Sequence, residues 1–167
     1  MSELRDLMQE AYIAHQNHRN ERNNSVLLDK FYETQDNLWN KKFDPLQDKF
    51  YQNPLSAIDE IIDFLSIDIS CHRCGYLKER FLKKFKSISL TSEQIDRLQK
   101  IALSLCQNPH YRREFAHWAK LMIKIGDKTF MEKLSNLCAD KELNVQEMAK
   151  WMREKIVENR KDLAIAN

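Results

Sequence analysis

Two cysteines and a histidine fall within four residues of the sequence, in the segment Cys71-His72-Arg73-Cys74. Thiolates and imidazoles are ligands that zinc prefers, and a thiol at the start of a helix has a lowered pKa. The segment therefore predicts half of a zinc site or a reactive thiol pair, with Cys106 and His110 as the third and fourth zinc ligands. The alternative, which we favour, is that all the cysteines are reduced structural thiols and that the protein carries no cofactor.

Arg112 and His117 are separated by four residues. Residues at this spacing lie about one and a half turns apart on a helix, and a histidine beside a cation can perform acid–base chemistry on a phosphodiester. The spacing resembles the active-site motif of HEPN-type all-α ribonucleases. This resemblance implies that Arg112 and His117 act on a scissile phosphate. The alternative interpretation is that His117 simply packs or is solvated beside Trp118.

Basic residues are concentrated in three segments of the chain. Residues 71–86 hold six basic groups and one acidic group, a balance of +5, and residues 109–126 hold four and one, a balance of +3. Residues 145–161 hold five and three, a balance of +2, whereas residues 54–70 carry −4. Helices that alternate in charge in this way would collect positive charge on one face of a stacked fold.

We expect this basic face to bind a partner, most readily an acidic protein surface or acidic helix. Nucleic acid is the other candidate, but few aromatic residues lie among the basic ones. A purely solvated surface is the alternative to both. The predicted binding residues are the lysines and arginines Arg73, Lys78, Arg80, Lys83, Lys84, Arg112, Arg113 and Lys120.

Composition limits both the fold and the function. Only two of the 167 residues are glycine and three are proline, which argues against turn-rich β folds and favours an all-α protein. With its two glycines 51 positions apart, the chain contains neither a GxGxxG fingerprint nor a Walker A loop. Averaged over the whole molecule, the net charge of +2 is too small for a dedicated nucleic-acid binder.

Apolar residues recur at helical spacing along nearly the whole chain. The first two runs predict either a helical hairpin or one long arm over residues 1–43, and Phe43-Asp44-Pro45 predicts a break. Pro45 then opens a short helix. Six further helices are predicted from about residue 54 onwards, with Thr91 and Gln94 as a capping box and Gly126 as a C-terminal cap.

The six helices form three pairs whose first members start near residues 54, 92 and 127. This spacing is typical of α-solenoids. The last pair, with Asn144-Val145 at the entry to its second helix, resembles a HEAT-type repeat. We therefore predict a HEAT-like stack of antiparallel helix pairs over residues 44–167, preceded by an N-terminal helical arm. A compact multi-helix bundle is the alternative.

The start of the chain, MSELRDL, lacks the features of a signal peptide, and no long apolar run predicts a membrane span. We expect a cytoplasmic, non-enzymatic interaction module or accessory subunit with a protein partner and no membrane association. Its arm permits a homodimer. A small ribonuclease that uses Arg112 and His117 is the enzymatic alternative.

Overall fold

The computed structural model describes residues 2–69, 71–108 and 114–160, and all regular structure in these ranges is helical, as the composition predicts. A π-helical turn, Trp39–Phe43, joins α2 to α3. The α-helices are α1 (Ser2–Asn20), α2 (Ser25–Leu38), α3 (Asp44–Gln52), α4 (Pro54–Ser66), α5 (Cys74–Phe85), α6 (Ser92–Gln107), α7 (Phe115–Ile125), α8 (Lys128–Leu137) and α9 (Leu143–Asn159).

The chain divides into two compact units, residues 1–77 and residues 78–167, and the division falls within α5. In the first unit α1 packs against α2 as a helical hairpin. The amide of Gln35 donates to the backbone carbonyl of Ala11 (3.4 Å), and Lys30 pairs with Glu10 (3.3 Å). Of the two arrangements predicted for the start of the chain, the structure contains the hairpin. That residues 1–43 form an arm separate from a repeat domain over residues 44–167 stays a prediction.

The helical path does not break at Pro45, where the sequence predicts an interruption. Proline within a helix lacks a donor N–H, and its ring collides with the carbonyl four residues earlier. The helix widens just before this point, because the backbone N–H of Asp44 donates to the carbonyl of Trp39, five residues back. The widened turn accommodates the proline, and α3 continues directly from α2.

The core of the first unit includes the apolar stripe of α4, which packs against α3. Ile58, Ile61 and Leu65 are all buried, and so is Phe64. The ring of Phe64 lies 5.0 Å from that of Phe43 in the π-helical turn. Burying each such aliphatic side chain stabilises the fold by about 1.5–3 kcal/mol.

In the second unit α6 packs against α7, and α8 packs against α9. The equivalent helices of successive pairs also touch, because α6 contacts α8 and α7 contacts α9. Trp118, Phe130 and Met152 are at most 1% exposed and lie in the core of this unit. This packing is compatible with a helical solenoid or a bundle. The pair that the sequence predicts from α4 and α5 spans both units and stays a prediction.

Local signals in the sequence define the helix ends of the second unit. The hydroxyl of Thr91 accepts from the backbone N–H of Gln94 (3.2 Å), and the Gln94 side chain accepts from the N–H of Thr91 (3.1 Å), so the predicted capping box is confirmed. Gly126 ends α7, also as predicted. A Cβ atom at Gly126 would lie 2.6 Å from the carbonyl oxygen of Met122, so any larger residue would collide with the backbone there.

Two side chains satisfy carbonyl groups at the end of α7. The amide of Gln99 on α6 donates to the carbonyl of Ile125 (2.9 Å). The guanidinium of Arg160, just beyond α9, donates to the carbonyl of Ile123 (2.9 Å). The last carbonyls of a helix have no partner within it. These two bonds therefore attach the end of α7 to α6 and to the residue that follows α9.

Among the described helices, none combines the length and apolar character that crossing a membrane requires.

Candidate functional site

The best candidate site of the second unit lies where α5 approaches α7. In α5, Phe81, Leu82 and Phe85 are buried, which leaves the intervening positions on the surface. The predicted binding residues Arg80, Lys83 and Lys84 occupy these positions and are exposed. On α7, Lys120 is exposed in the same way, next to the buried Ala119 and Leu121. The apolar periodicity of each helix therefore directs its lysines away from the core.

Lys78 is a different case among the predicted binding residues, because it is only 3% exposed. It lies four residues after the buried Cys74 and three before the buried Phe81, so it falls on the apolar stripe of α5. The structure thus does not present Lys78 on the surface. The spacing could have shown this, since Lys78 follows the same periodicity as the apolar residues.

The centre of the site is a contact between His117 of α7 and Glu79 of α5. The Nε2 atom of His117 lies 3.2 Å from Oε1 of Glu79, and the two side chains are 15% and 14% exposed. The same Glu79 oxygen accepts a hydrogen bond from Lys83 one turn along α5 (2.5 Å). The Nδ1 atom of His117 is buried and has no hydrogen-bond partner in the described part of the chain.

The electrostatic environment of His117 is mixed. Burial lowers the pKa of His117 below its ordinary value, and the carboxylate of Glu79 opposes this effect by raising it. Lys83, Lys120 and Lys86 lower the pKa further, because their charges repel a protonated imidazole. Three lysines from α5, α7 and the segment after α5 therefore act on one imidazole. They form the cluster that we call the His117 basic site, made of His117, Glu79, Lys83, Lys86 and Lys120.

Lys124 adds a structural contact beside this site. Its Nζ atom donates to the carbonyl of Lys86 (2.7 Å) and to that of Ile88 (3.3 Å), both just beyond the end of α5. A cation at the C-terminal end of a helix is favoured by the helix dipole. Lys124 thereby attaches the end of α5 to α7 and holds the backbone of Lys86 in place.

The remaining ligands and partners predicted for this region lie outside the described residues. These are Arg112 and Arg113 of the predicted binding set, Arg112 of the predicted ribonuclease pair and His110 of the predicted zinc site. The structure therefore describes His117 but not the arginine that the ribonuclease motif pairs with it.

The Cys71–Cys74 segment lies in the first unit and differs from the expectation of free thiols, because the two cysteines are joined as a disulfide. Their Cα atoms are 5.4 Å apart, as a tight turn requires, and the N–H of Cys74 donates to the carbonyl of Cys71 (3.2 Å). Arg73 within this turn has a φ of 64°. Its guanidinium carbon lies 5.9 Å from the ring centre of Trp39, within cation–π range.

Cys106 and Cys138 are free thiols of the second unit. Burial raises the pKa of the Cys106 thiol to about 12, and the nearby Cys138 adds to the shift. Cys106 is thus a protonated core thiol at neutral pH, which matches the structural role favoured from the sequence. In the described ranges, no group of three histidine, cysteine or acidic side chains is arranged to hold a metal ion.

A second cluster of titratable groups surrounds Phe31 in the first unit. The ring centres of His15, His18 and His72 lie 5.5, 5.6 and 5.6 Å from that of Phe31. His15 and His72 are 6.1 Å apart. Burial is the main cause that lowers the pKa of both His15 and His72, and the basic groups beside them lower it further. We call these four residues the Phe31 cluster.

Sequence reasoning missed two features of these sites. The charge pattern identifies Glu79 only as the single acidic residue among the basic ones of α5, because no local pattern indicates that it meets His117, 38 residues away. The sequence likewise does not predict that His15 and His72 meet, because the spacing of residues along α1 does not show which turn of the chain packs against that helix. Comparisons with protein-family models, with curated proteins and with solved structures give no match.

Proposed function

We propose that the chain is a non-enzymatic helical interaction module, a HEAT-like stack whose second helices bind an acidic protein partner through the His117 basic site. One observation carries the proposal: α5, α7 and the segment after α5 place exposed lysines around a single half-buried imidazole. Charge collected from two helices produces a local potential that the net charge of +2 does not reveal. Such a surface favours and steers an anionic partner.

The type of partner follows from what surrounds the lysines. The aromatic residues of α7 in the described chain, Phe115 and Trp118, are buried and offer no ring for base stacking, and the exposed ring of Trp151 on α9 lies near them, 5.4 Å from the ring of Phe115. A partner with carboxylates needs no such stacking. An acidic helix or acidic protein surface is therefore favoured over single-stranded nucleic acid, and a cytoplasmic accessory subunit is the role we propose.

The test is purification of the tagged protein from its native lysate, with and without nuclease, in three forms. The first is the wild type and the second carries Lys83→Glu, Lys84→Glu and Lys120→Glu. The third is a matched control with three exposed lysines of the first helices reversed, Lys100→Glu, Lys128→Glu and Lys133→Glu. We expect defined protein bands that persist after nuclease treatment with the wild type and the control and disappear with the second form.

Two results would contradict the proposal. Bands that survive the reversal of Lys83, Lys84 and Lys120 would show that this face is not the binding site. Bands or bound absorbance that nuclease removes would show that the face binds nucleic acid. Circular dichroism of all three forms verifies that they are equally helical.

A ribonuclease is the second candidate, and the contact of His117 with Glu79 is the observation in its favour, because a carboxylate can orient an imidazole for acid–base chemistry. The side chain of His117 is only 15% exposed, which limits its access to a phosphodiester. We expect no RNA cleavage by the purified protein. Cleavage that disappears in His117→Ala would establish the enzyme instead.

A further inference from the structure

His117 has properties that a site made only of lysines would not have. Its Nε2 atom faces a carboxylate at 3.2 Å, and its Nδ1 atom is buried without a hydrogen-bond partner among the described residues. Glu79 is shared, because the same oxygen also accepts from Lys83. The ammonium of Lys83 therefore lies beside the imidazole, and its charge acts on any proton that His117 takes up.

We infer that binding of an anionic partner at the His117 basic site is coupled to the uptake of one proton by His117, so that the complex tightens as the pH falls from neutral to mildly acidic values. This inference rests on the proposed function and adds to it a form of regulation.

The charges around His117 determine the direction of this coupling. In the described chain, the charged groups that act on it are Glu79, Lys83 and Lys86 from α5 and the segment after it, and Lys120 from its own helix. In the free protein, three lysines and burial oppose protonation, and one carboxylate favours it. The carboxylates of a bound partner neutralise the lysines and remove the repulsion. Protonation of His117 is therefore more favourable in the complex.

Linkage makes this effect reciprocal. If a bound anion favours the protonated imidazole, the protonated imidazole must favour the bound anion by the same factor. The contact geometry shows where the added proton goes. The neutral imidazole already donates from Nε2 to Glu79, so the added proton is on Nδ1, which is buried without a partner among the described residues in the free and bound protein alike.

The experiment titrates the full chain with a fluorescein-labelled deca-aspartate peptide at pH 7.5, 6.5 and 5.5 and constant ionic strength. Aspartate has a pKa of about 3.9, so the probe stays ionised throughout. Fluorescence anisotropy should show Kd falling by about fivefold between pH 7.5 and 5.5 for the wild type, at the lower end of usual coupling energies. His117→Gln should bind with a Kd that does not change with pH.

His18→Gln is the matched control, because it removes an imidazole of the first unit and leaves the His117 basic site intact. It should keep the pH dependence of the wild type. A second, direct measurement follows the imidazole of His117 by NMR: its pKa should rise when the peptide is added. This readout needs no variant, and it separates proton uptake from any loss of folding in His117→Gln.

The lysine reversals separate failure of the inference from failure of the proposed function. If Lys83→Glu, Lys84→Glu and Lys120→Glu together abolish binding but His117→Gln keeps the pH dependence, the inference is wrong and the proposed function stands. If the triple reversal binds the peptide as tightly as the wild type, or the wild type does not bind it, the proposed function is wrong. A pKa of His117 that stays constant on binding also overturns the inference.

Discussion

The histidines of the two units stand in opposite electrostatic surroundings. In the Phe31 cluster, the charged groups that act on His15 and His72 in the described chain are Arg19, Arg73 and other histidines, all of them basic when charged. In the His117 basic site, a carboxylate faces the imidazole at 3.2 Å. Burial opposes protonation in both places, but only the second offers compensation for the charge. The pKa of the imidazole is thus lowered in both units, but in the second unit Glu79 counters part of the shift.

This difference separates two surroundings for a histidine. In the Phe31 cluster, the imidazoles pack around one phenylalanine ring and join α1, α2 and the Cys71–Cys74 turn. In the His117 basic site, one carboxylate and several lysines act on the imidazole in opposite directions, and the proposed partner would shift that balance. Each of the following predictions tests one side of this comparison.

The largest effect is expected from Phe31→Ala, which removes the ring that three imidazoles contact. Phe31 is 8% exposed, and truncating a buried phenylalanine costs about 3–5 kcal/mol. The free energy of unfolding should fall by this amount. Denaturant titration measures it for the whole chain, and hydrogen exchange measures it for α1 and α2. Val26→Ala is the control: Val26 lies on the same helix and is 72% exposed, so its truncation should change stability by only about 0.5 kcal/mol. Equal effects of the two variants would contradict the packing role of the cluster.

The next effect is a loss of stability in acid. His15 and His72 have a pKa lowered from 6.5 in the folded protein, so the unfolded chain binds protons first as the pH falls. The stability that they contribute is complete above pH 6.5 and is lost as the pH falls through their folded pKa values. Hydrogen exchange of α1 and α2 should therefore accelerate on going from pH 7.5 to 5, after correction for the intrinsic rate.

The control for acid sensitivity is a pair of variants. His15→Gln with His72→Gln should flatten the pH dependence of exchange in α1 and α2, because glutamine does not titrate. His117→Gln should leave that dependence unchanged. If the double variant is as acid-sensitive as the wild type, other groups are responsible and the comparison between the units fails.

A smaller effect is expected from Glu79→Gln. The substitution keeps the shape of the side chain but removes the charge that Lys83 and His117 share. We expect a loss of about 1 kcal/mol in the free energy of unfolding, the usual value of one hydrogen bond. The pKa of His117 should fall further, because the carboxylate that raises it within the described ranges is gone. Glu132→Gln, at an exposed position of α8, is the control for stability. An unchanged pKa in an NMR titration would contradict the contact.

The smallest effect concerns the turn that holds His72. Arg73 has a φ of 64°, a conformation that costs an L-residue with a Cβ atom more than it costs glycine. Arg73→Gly and Arg73→Ala both remove the cation over Trp39, so the difference in stability between the two variants measures the effect of the backbone conformation alone. Arg73→Gly should be the more stable of the two by about 0.5–1 kcal/mol in thermal unfolding, because the cost of a left-handed backbone exceeds the extra entropy that glycine loses on folding. The opposite order would show that the turn relaxes when the arginine is lost.

The helices and their ends could be predicted from the sequence because the responsible forces act within a few residues. The Thr91–Gln94 box involves two residues only three positions apart in the sequence. Apolar periodicity gave the buried faces for the same reason. The same periodicity indicates that Lys78 is buried, whereas its charge alone predicts an exposed position.

The contacts that make each site could not be predicted in this way. Glu79 meets His117 across 38 residues, and His15 meets His72 across 57 residues, so both contacts depend on how helices pack. The disulfide joins residues that are close in sequence, but whether two such thiols can be bridged depends on the geometry of the turn between them, and whether they are oxidised depends on their surroundings. Local patterns thus predict which residues are available to a site, and packing decides which of them meet.

The π-helical turn at Trp39–Phe43 makes the number of residues in this segment depend on the proline at position 45. A wide turn of this kind contains one residue more than an α-helical turn needs, so deleting Asn40 would restore regular α-helix from Ser25 to Gln52. The ring of Pro45 would then collide with a backbone carbonyl of that regular helix. A related chain that is one residue shorter in this segment should therefore also lack the proline, and the two changes are expected to be inherited together.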